Sequence, residues 1–147
     1  MIVRLECFLV IWRRRMKKEN EEKLFNRFKF FHPEKSPQEG LMCFGFEVGN
    51  GWFDLLWKLC ENIEKELDKE KNKELESHFE VEQVKEKFGQ LRYYCNYATD
   101  EIFDLIEKAE IESGKTCEVC GEKGELRTDS GWIYTACDKH YKKKVKK

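Results

Sequence analysis

A chain of 147 residues with 28 basic and 29 acidic side chains, 40% hydrophobic and 14% aromatic residues, has enough apolar content for one packed core. That content excludes wholesale disorder, and a formal net charge of -1 weighs against a dedicated DNA-binding protein, whose phosphate contacts need a net basic surface. The charge is uneven, however: residues 61–86 hold ten acids against five lysines, while residues 139–147 hold six lysines.

Residues 1–16 read as an N-terminal extension, disordered or upstream of the natural start. The run from Met1 to Trp12 is apolar apart from Arg4 and Glu6, but it is too short for the about 20 residues a membrane span needs. Its basic block, Arg13 to Arg15, lies after the apolar stretch, and no small-residue cleavage site follows, so neither a membrane anchor nor a signal peptide is expected.

Residues 17–113 read as an α+β core domain. Asn20 is placed to cap a helix with Leu24, Phe25, Phe28 and Phe31 on one side, ended by His32-Pro33. Met42, Phe44, Phe46 and Val48 alternate, which predicts a strand, and Gly49-Asn50-Gly51 then turns the chain. Asp54 suits the first turn of a helix whose apolar stripe is Phe53, Leu56, Trp57, Cys60, Ile63 and Leu67. A polar stretch follows from Asp68 to Glu74. The strand formers in Phe79–Lys85 and Gln90–Tyr97, with Glu86 to Gly89 between them, predict a hairpin. Leu91, Tyr93, Cys95 and Tyr97 should share one of its faces and Arg92, Tyr94 and Asn96 the other. Thr99 caps a last core helix with Ile102, Phe103, Ile106 and Ala109 turned inward. The expected architecture is a small antiparallel sheet of three strands packed with helices.

Residues 114–147 read as a zinc module with a basic C-terminal tail. Cys117 and Cys120 form a C-x2-C pair, sixteen residues separate Cys120 from Cys137, and Cys137 and His140 form a C-x2-H pair. The two-residue spacing lets a tight turn aim two side chains at one ion, and the gap leaves room for a hairpin that closes a tetrahedron. Leu126 to Thr128 and Trp132 to Thr135 supply the strands, Asp129-Ser130-Gly131 the turn, and Cys137 and His140 fall on the first turn of a terminal helix. The order of knuckle, hairpin and ligand-bearing helix is treble-clef-like. Four protein ligands leave no open coordination place, so the expected cofactor is structural Zn2+ and not a catalytic ion. The remaining cysteines, Cys7, Cys43, Cys60 and Cys95, are scattered in apolar runs and read as buried free thiols of a reducing cytoplasm in preference to a disulfide framework.

Lys85, Lys87 and Arg92 on the hairpin, with Phe88, Tyr94 and Trp52, combine cations with aromatic faces. That combination suits a phosphorylated, base-containing ligand, since guanidinium and ammonium groups meet phosphate while rings stack on bases. The competing reading is an exposed basic hairpin whose lysines pair with Glu82 and Glu86 and whose rings belong to the core. No catalytic residues are expected: His32 and His78 are isolated, there is no P-loop or dinucleotide fingerprint, and Glu47 and Asp54 read as a strand-end charge and a helix cap.

Gly49-Asn50-Gly51-Trp52-Phe53-Asp54-Leu55, the run from Gln83 to Arg92, the knuckle, and Gly131-Trp132 with Cys137 and His140 resemble a family of small zinc-containing proteins of tailed phages and prophages. The resemblance covers residues 40–141. Asn50 stands where an aspartate is common in that family and Gln90 where a second glycine is common. It implies a setting, the cytoplasm of a bacterial host, more than a mechanism, because the family has no settled activity. The expected function is a non-enzymatic binding protein with structural zinc that counteracts host defence by capturing a nucleotide-type signal or inhibiting a defence protein. The alternative is a zinc adaptor for nucleic acid or protein using Lys139 to Lys147 and Arg127. No membrane partner is expected, and oligomerisation is left open.

Overall fold

The computed structural model describes residues 15–141. Most of the N-terminal extension (1–14), Cys7 and the end of the lysine tail (142–147) lie outside the described residues. In chain order the elements are α1 (Lys18–Arg27), α2 (Phe53–Leu67), α3 (Lys73–Glu76), β1 (Glu80–Lys87), β2 (Gln90–Asn96), α4 (Asp100–Ser113), β3 (Glu125–Arg127) and β4 (Tyr134–Ala136). Short 3-10 turns occupy Met42–Phe44, Asn50–Trp52, Glu70–Asn72 and Asp138–His140. The α+β class stands, as two antiparallel pairs, β1 with β2 and β3 with β4.

The expected third strand of the core sheet is not formed. Met42 to Phe44 wind into a 3-10 turn, Gly45 takes φ +76, and only Glu47 then makes a single bridge to Lys85. The alternating apolar residues reported burial and not backbone: Met42, Phe46 and Val48 are buried while Phe44 is exposed, and a turn satisfies that pattern as well as a strand. The first helix also differs from expectation. It ends at Arg27, because Phe28 is already extended (φ -112, ψ 115), and Lys17, not Asn20, sits at its N-cap. The Asn20 side chain instead donates to Asn50 Oδ1 at 2.6 Å, tying α1 to the glycine turn.

Past α1 the chain carries Phe28, Phe30 and Phe31 into the core, where Phe31 bridges Val81 of β1. Phe31 meets Phe46 and Tyr93 edge-on at ring separations of 5.1 and 6.4 Å, and Phe30 meets Phe79 at 5.3 Å. Edge-to-face contact suits the ring quadrupoles, so this aromatic cluster adds attraction beyond its buried area. α2 closes the core with Leu56, Leu59, Cys60, Ile63 and Leu67; of the expected stripe Leu56, Cys60, Ile63 and Leu67 are buried, Phe53 and Trp57 are only partly so, and Leu59 joins them.

β1 and β2 are joined by the two-residue turn Phe88-Gly89, with φ +52 and +80, the primed geometry that matches strand twist. The turn is tighter than the expected Glu86 to Gly89, and Glu86 Oε1 accepts the Gly89 N–H at 2.6 Å. Leu91 and Tyr93 face inward as predicted, whereas Tyr97 lies past the strand, exposed and at φ +59. Both edges of the pair are occupied. Leu41 N–H reaches Glu82 O and Glu47 N–H reaches Val84 O on the β1 side, while Ser113 Oγ and Glu110 Oε1 of α4 accept the Leu91 and Tyr93 N–H groups on the β2 side. Covered edges cannot recruit another strand there.

Thr99 caps α4 as expected, its Oγ1 accepting from Ile102 N–H at 3.2 Å. Ile102 and Ile106 turn inward, but Phe103 is exposed. Of the cysteines expected to be buried, Cys60 is, Cys95 is half-buried and Cys43 is exposed. No disulfide links the described residues, and no helix among them is long and apolar enough to cross a membrane.

Candidate metal centre

The C-terminal segment brings its two cysteine-containing pairs together. After α4 the chain turns at Cys117, whose N–H bonds Glu122 O and whose carbonyl accepts from Gly121 N–H at 2.9 Å. Gly121 takes φ +82, a left-handed conformation that glycine adopts without steric cost, and the resulting knuckle points Cys117 and Cys120 to one side. β3 and β4 pair with Leu126 opposite Thr135 and return the chain to Cys137, which opens the 3-10 turn carrying His140. That single turn is all of the expected terminal helix that falls among the described residues.

One ligand atom from each of Cys117, Cys120, Cys137 and His140 lies within 4.8 Å of all the others. Cys120 and Cys137 sulfurs are 3.7 Å apart, and His140 Nδ1 lies 3.2 Å from Cys137 Sγ and 3.7 Å from Cys117 Sγ. A tetrahedral ion with metal–sulfur bonds of about 2.3 Å requires sulfurs about 3.8 Å apart, so the Cys120–Cys137 pair stands near coordination spacing and the cluster is compatible with a metal ion. Desolvation pushes the Cys137 thiol up, but the His140 N–H and ring and the two neighbouring thiols outweigh it and hold it at about 6. A thiolate, the form a metal requires, is thereby favoured at that position at neutral pH.

A polar ring braces the ligands. Arg127 of β3 donates to Ala136 O at 3.1 Å and to Asp138 Oδ1 at 2.9 Å, and its guanidinium lies 4.2 Å from the Tyr141 ring. Tyr141 in turn donates to Asp129 in the β3–β4 connection. Arg127, expected to be available to a nucleic acid, is therefore committed within the module.

The module is seated on the core at two turns. Trp52 Nε1 donates to Thr116 O at 2.8 Å, Gly51 N–H to Glu118 O at 2.7 Å and Gly49 N–H to Glu118 Oε1 at 2.9 Å. At the other turn Thr135 Oγ1 donates to Gly89 O at 2.6 Å. Gly89 lies so close to Leu126 that a Cβ there would come within 2.5 Å of its methyl.

The residues expected to bind a ligand are only partly brought together. Lys85 and Arg92 are cross-strand partners, with Tyr94 and Lys87 on the same outer face by alternation. Lys85 Nζ lies 5.8 Å from the Tyr94 ring centre and Lys87 Nζ 5.7 Å from that of Phe88. Arg92 leans the other way, 3.8 Å from Glu110 and bonded to Leu91 O. Trp52 does not join them. It is fully buried and its indole N–H is spent on Thr116, because a large ring after the glycine turn fills the core and does not reach the hairpin. Beside Lys85 and Tyr94 an open groove of about 390 Å³ runs along the 37–41 loop, and Glu39 and Glu82 also line it.

Sequence reasoning missed Glu118, the only carboxylate inside the knuckle, and the seating of Gly49 and Gly51 on it. No protein-family model, curated protein or solved structure matches this chain.

Proposed function

We propose that this is a non-enzymatic binding protein stapled by structural zinc, which acts by occupancy through the outer face of the β1–β2 hairpin. Three cysteine sulfurs and one imidazole within 4.8 Å of one another are a donor set suited to zinc over hard cations, and four protein ligands would leave no place for water or substrate. Knuckle, hairpin and ligand-bearing turn follow treble-clef order.

The observation that carries the reading is Phe88. It is a bulky side chain at φ +52 and 64% exposed, in a turn where asparagine or glycine would be relaxed. Left-handed backbone costs such a residue about 1 kcal/mol and its ring buries little, a choice that contact of the ring with an outside partner would explain. Lys85, Lys87 and Tyr94 extend the same face, which is open and suits a macromolecule better than an enclosed small ligand. With the phage-type setting that the sequence resemblance implies, the partner class is a host defence protein in the bacterial cytoplasm. A second reading, capture of a nucleotide-type signal, is favoured by the groove beside Lys85 and Tyr94. Glu39 and Glu82 on its walls oppose a phosphate there.

The test compares zinc-loaded parent with Phe88→Asn. The variant should stay folded yet lose a protein that the parent retains from host lysate, and neither should shift in melting temperature with cyclic or linear nucleotides. Equal retention by both would remove the hairpin face from the proposal. A nucleotide shift abolished by Lys85→Ala would promote the second reading. Affinity for nucleic acid that falls steeply with salt and depends on the lysine tail would support the adaptor instead.

A further inference from the structure

The Gly49–Trp52 turn contributes no metal ligand, yet it packs directly on the peptide that carries two of them. A Cβ at position 51 would sit 2.2 Å from Cys117 O, 2.6 Å from Gly121 N and 2.7 Å from Cys120 N. These are backbone atoms, which cannot swing aside, so glycine alone allows the approach. The contact is mutual, since a Cβ on Gly121 would stand 3.0 Å from Gly51 O. Glu118, only 2% exposed, completes the junction: its carbonyl and carboxylate accept from Gly51 and Gly49, while its own N–H donates to Thr135 O at 3.2 Å. One residue between the two ligand cysteines thus joins the core turn, the knuckle and β4.

We infer that Gly51 and Glu118 are positioning residues of the metal centre, and that the Gly49–Trp52 turn is a backbone clamp holding Cys117 and Cys120 at ligand spacing. The inference rests on the reading that the four-ligand cluster takes a metal ion. A clamp supplied by the folded core raises affinity because the knuckle need not be ordered at the moment of binding. Groups one shell out from the ligands carry such effects elsewhere, with losses of about 10–100-fold in affinity when they are removed. Coupling of this kind is reciprocal: metal must order the turn as much as the turn favours metal. The clamp also gives the Gly49-Asn50-Gly51-Trp52 run a physical task at the junction of core and module.

Cobalt(II) is the probe, because its thiolate charge-transfer and tetrahedral ligand-field bands report how many sulfurs bind, and zinc affinity is then read by competition with a chromophoric chelator. Gly51→Ala should weaken zinc binding about tenfold or more and reduce the thiolate bands, with the helical circular dichroism of the core retained. Glu118→Gln keeps a carbonyl oxygen for the Gly49 N–H and should stay near the parent, whereas Glu118→Ala should fall with Gly51→Ala. Equal affinity and the same cobalt spectrum for parent and Gly51→Ala overturn the clamp. An arm without substitution decides the matter if that variant does not fold: chelation should speed hydrogen exchange at the Gly49 and Gly51 amides and the Trp52 indole more than at the middle of α2. Unchanged protection there also overturns it. A parent that binds neither cobalt nor zinc sinks the metal reading and the clamp together, a result distinct from a tight parent with an equally tight Gly51→Ala.

Discussion

At Phe88 the local preference of the backbone and the identity of the side chain disagree. Replacing it by asparagine should raise stability by about 0.5–1 kcal/mol in urea unfolding, since the left-handed turn is relaxed and little buried area is lost. A loss of stability would mean that the exposed ring supports the fold. Glu64 shows the opposite relation, local chemistry in agreement with the fold. Its carboxylate takes a two-pronged contact from Arg27 at 2.7 and 2.8 Å, and that hydrogen bonding lowers its pKa from 4.5. A carboxylate whose folded pKa is depressed stabilises the native state above its unfolded pKa, and that contribution is lost as pH falls through the folded value. Glu64→Gln should therefore be less stable than the parent at pH 7, and the difference should shrink as pH falls below the unfolded carboxylate value and vanish only below the lower folded one. A difference that persists at low pH would assign the effect to packing. The clustered Cys and His residues were legible one by one, because Cys and His spacing is a local property. Glu118 was not, because nothing in its neighbours along the chain says that Gly49 lies against it.

Among the elements, α4 was the most readable. Thr99, the acids of the first turn and the apolar spacing all act within a few residues, and Thr99→Ala should cost about 1 kcal/mol in chemical denaturation through loss of the cap to Ile102. No change would mean that tertiary contacts alone define the helix start. α1 was misread at its C-terminal end because Phe28 to Phe31 keep an apolar pattern that a helix and an extended core segment can both satisfy, and the pairing of Phe31 with Val81 decides for the latter; at its start Asn20 bonds Asn50 in place of capping. The same ambiguity turned the Met42 to Val48 alternation into a predicted strand. In the metal module, Cys117→Ser should abolish stoichiometric zinc in elemental analysis and unfold β3 and β4, because metal-binding energy is folding energy in so small a hairpin. Retention of one zinc per chain would show that Cys117 is dispensable as a ligand.

For the molecule as a whole, two seated turns make the metal module and the aromatic core thermodynamic neighbours. Chelation should lower the melting temperature of one cooperative calorimetric transition. A separate low-temperature transition with the main one unmoved would show that the module melts alone. The chain by itself determined what short-range chemistry determines: an α+β composition, much of the α2 stripe, the α4 cap, a hairpin turning at Gly89 and the four Cys and His positions that cluster, each set by residues a few places apart. Only the tertiary structure decided which apolar segments are helix, turn or strand, that Trp52 belongs to the core and not to the hairpin face, and that the glycine run meets the knuckle. Those outcomes depend on contacts between residues tens of positions apart, whose free energy is carried by packing partners and leaves no periodic trace in the sequence.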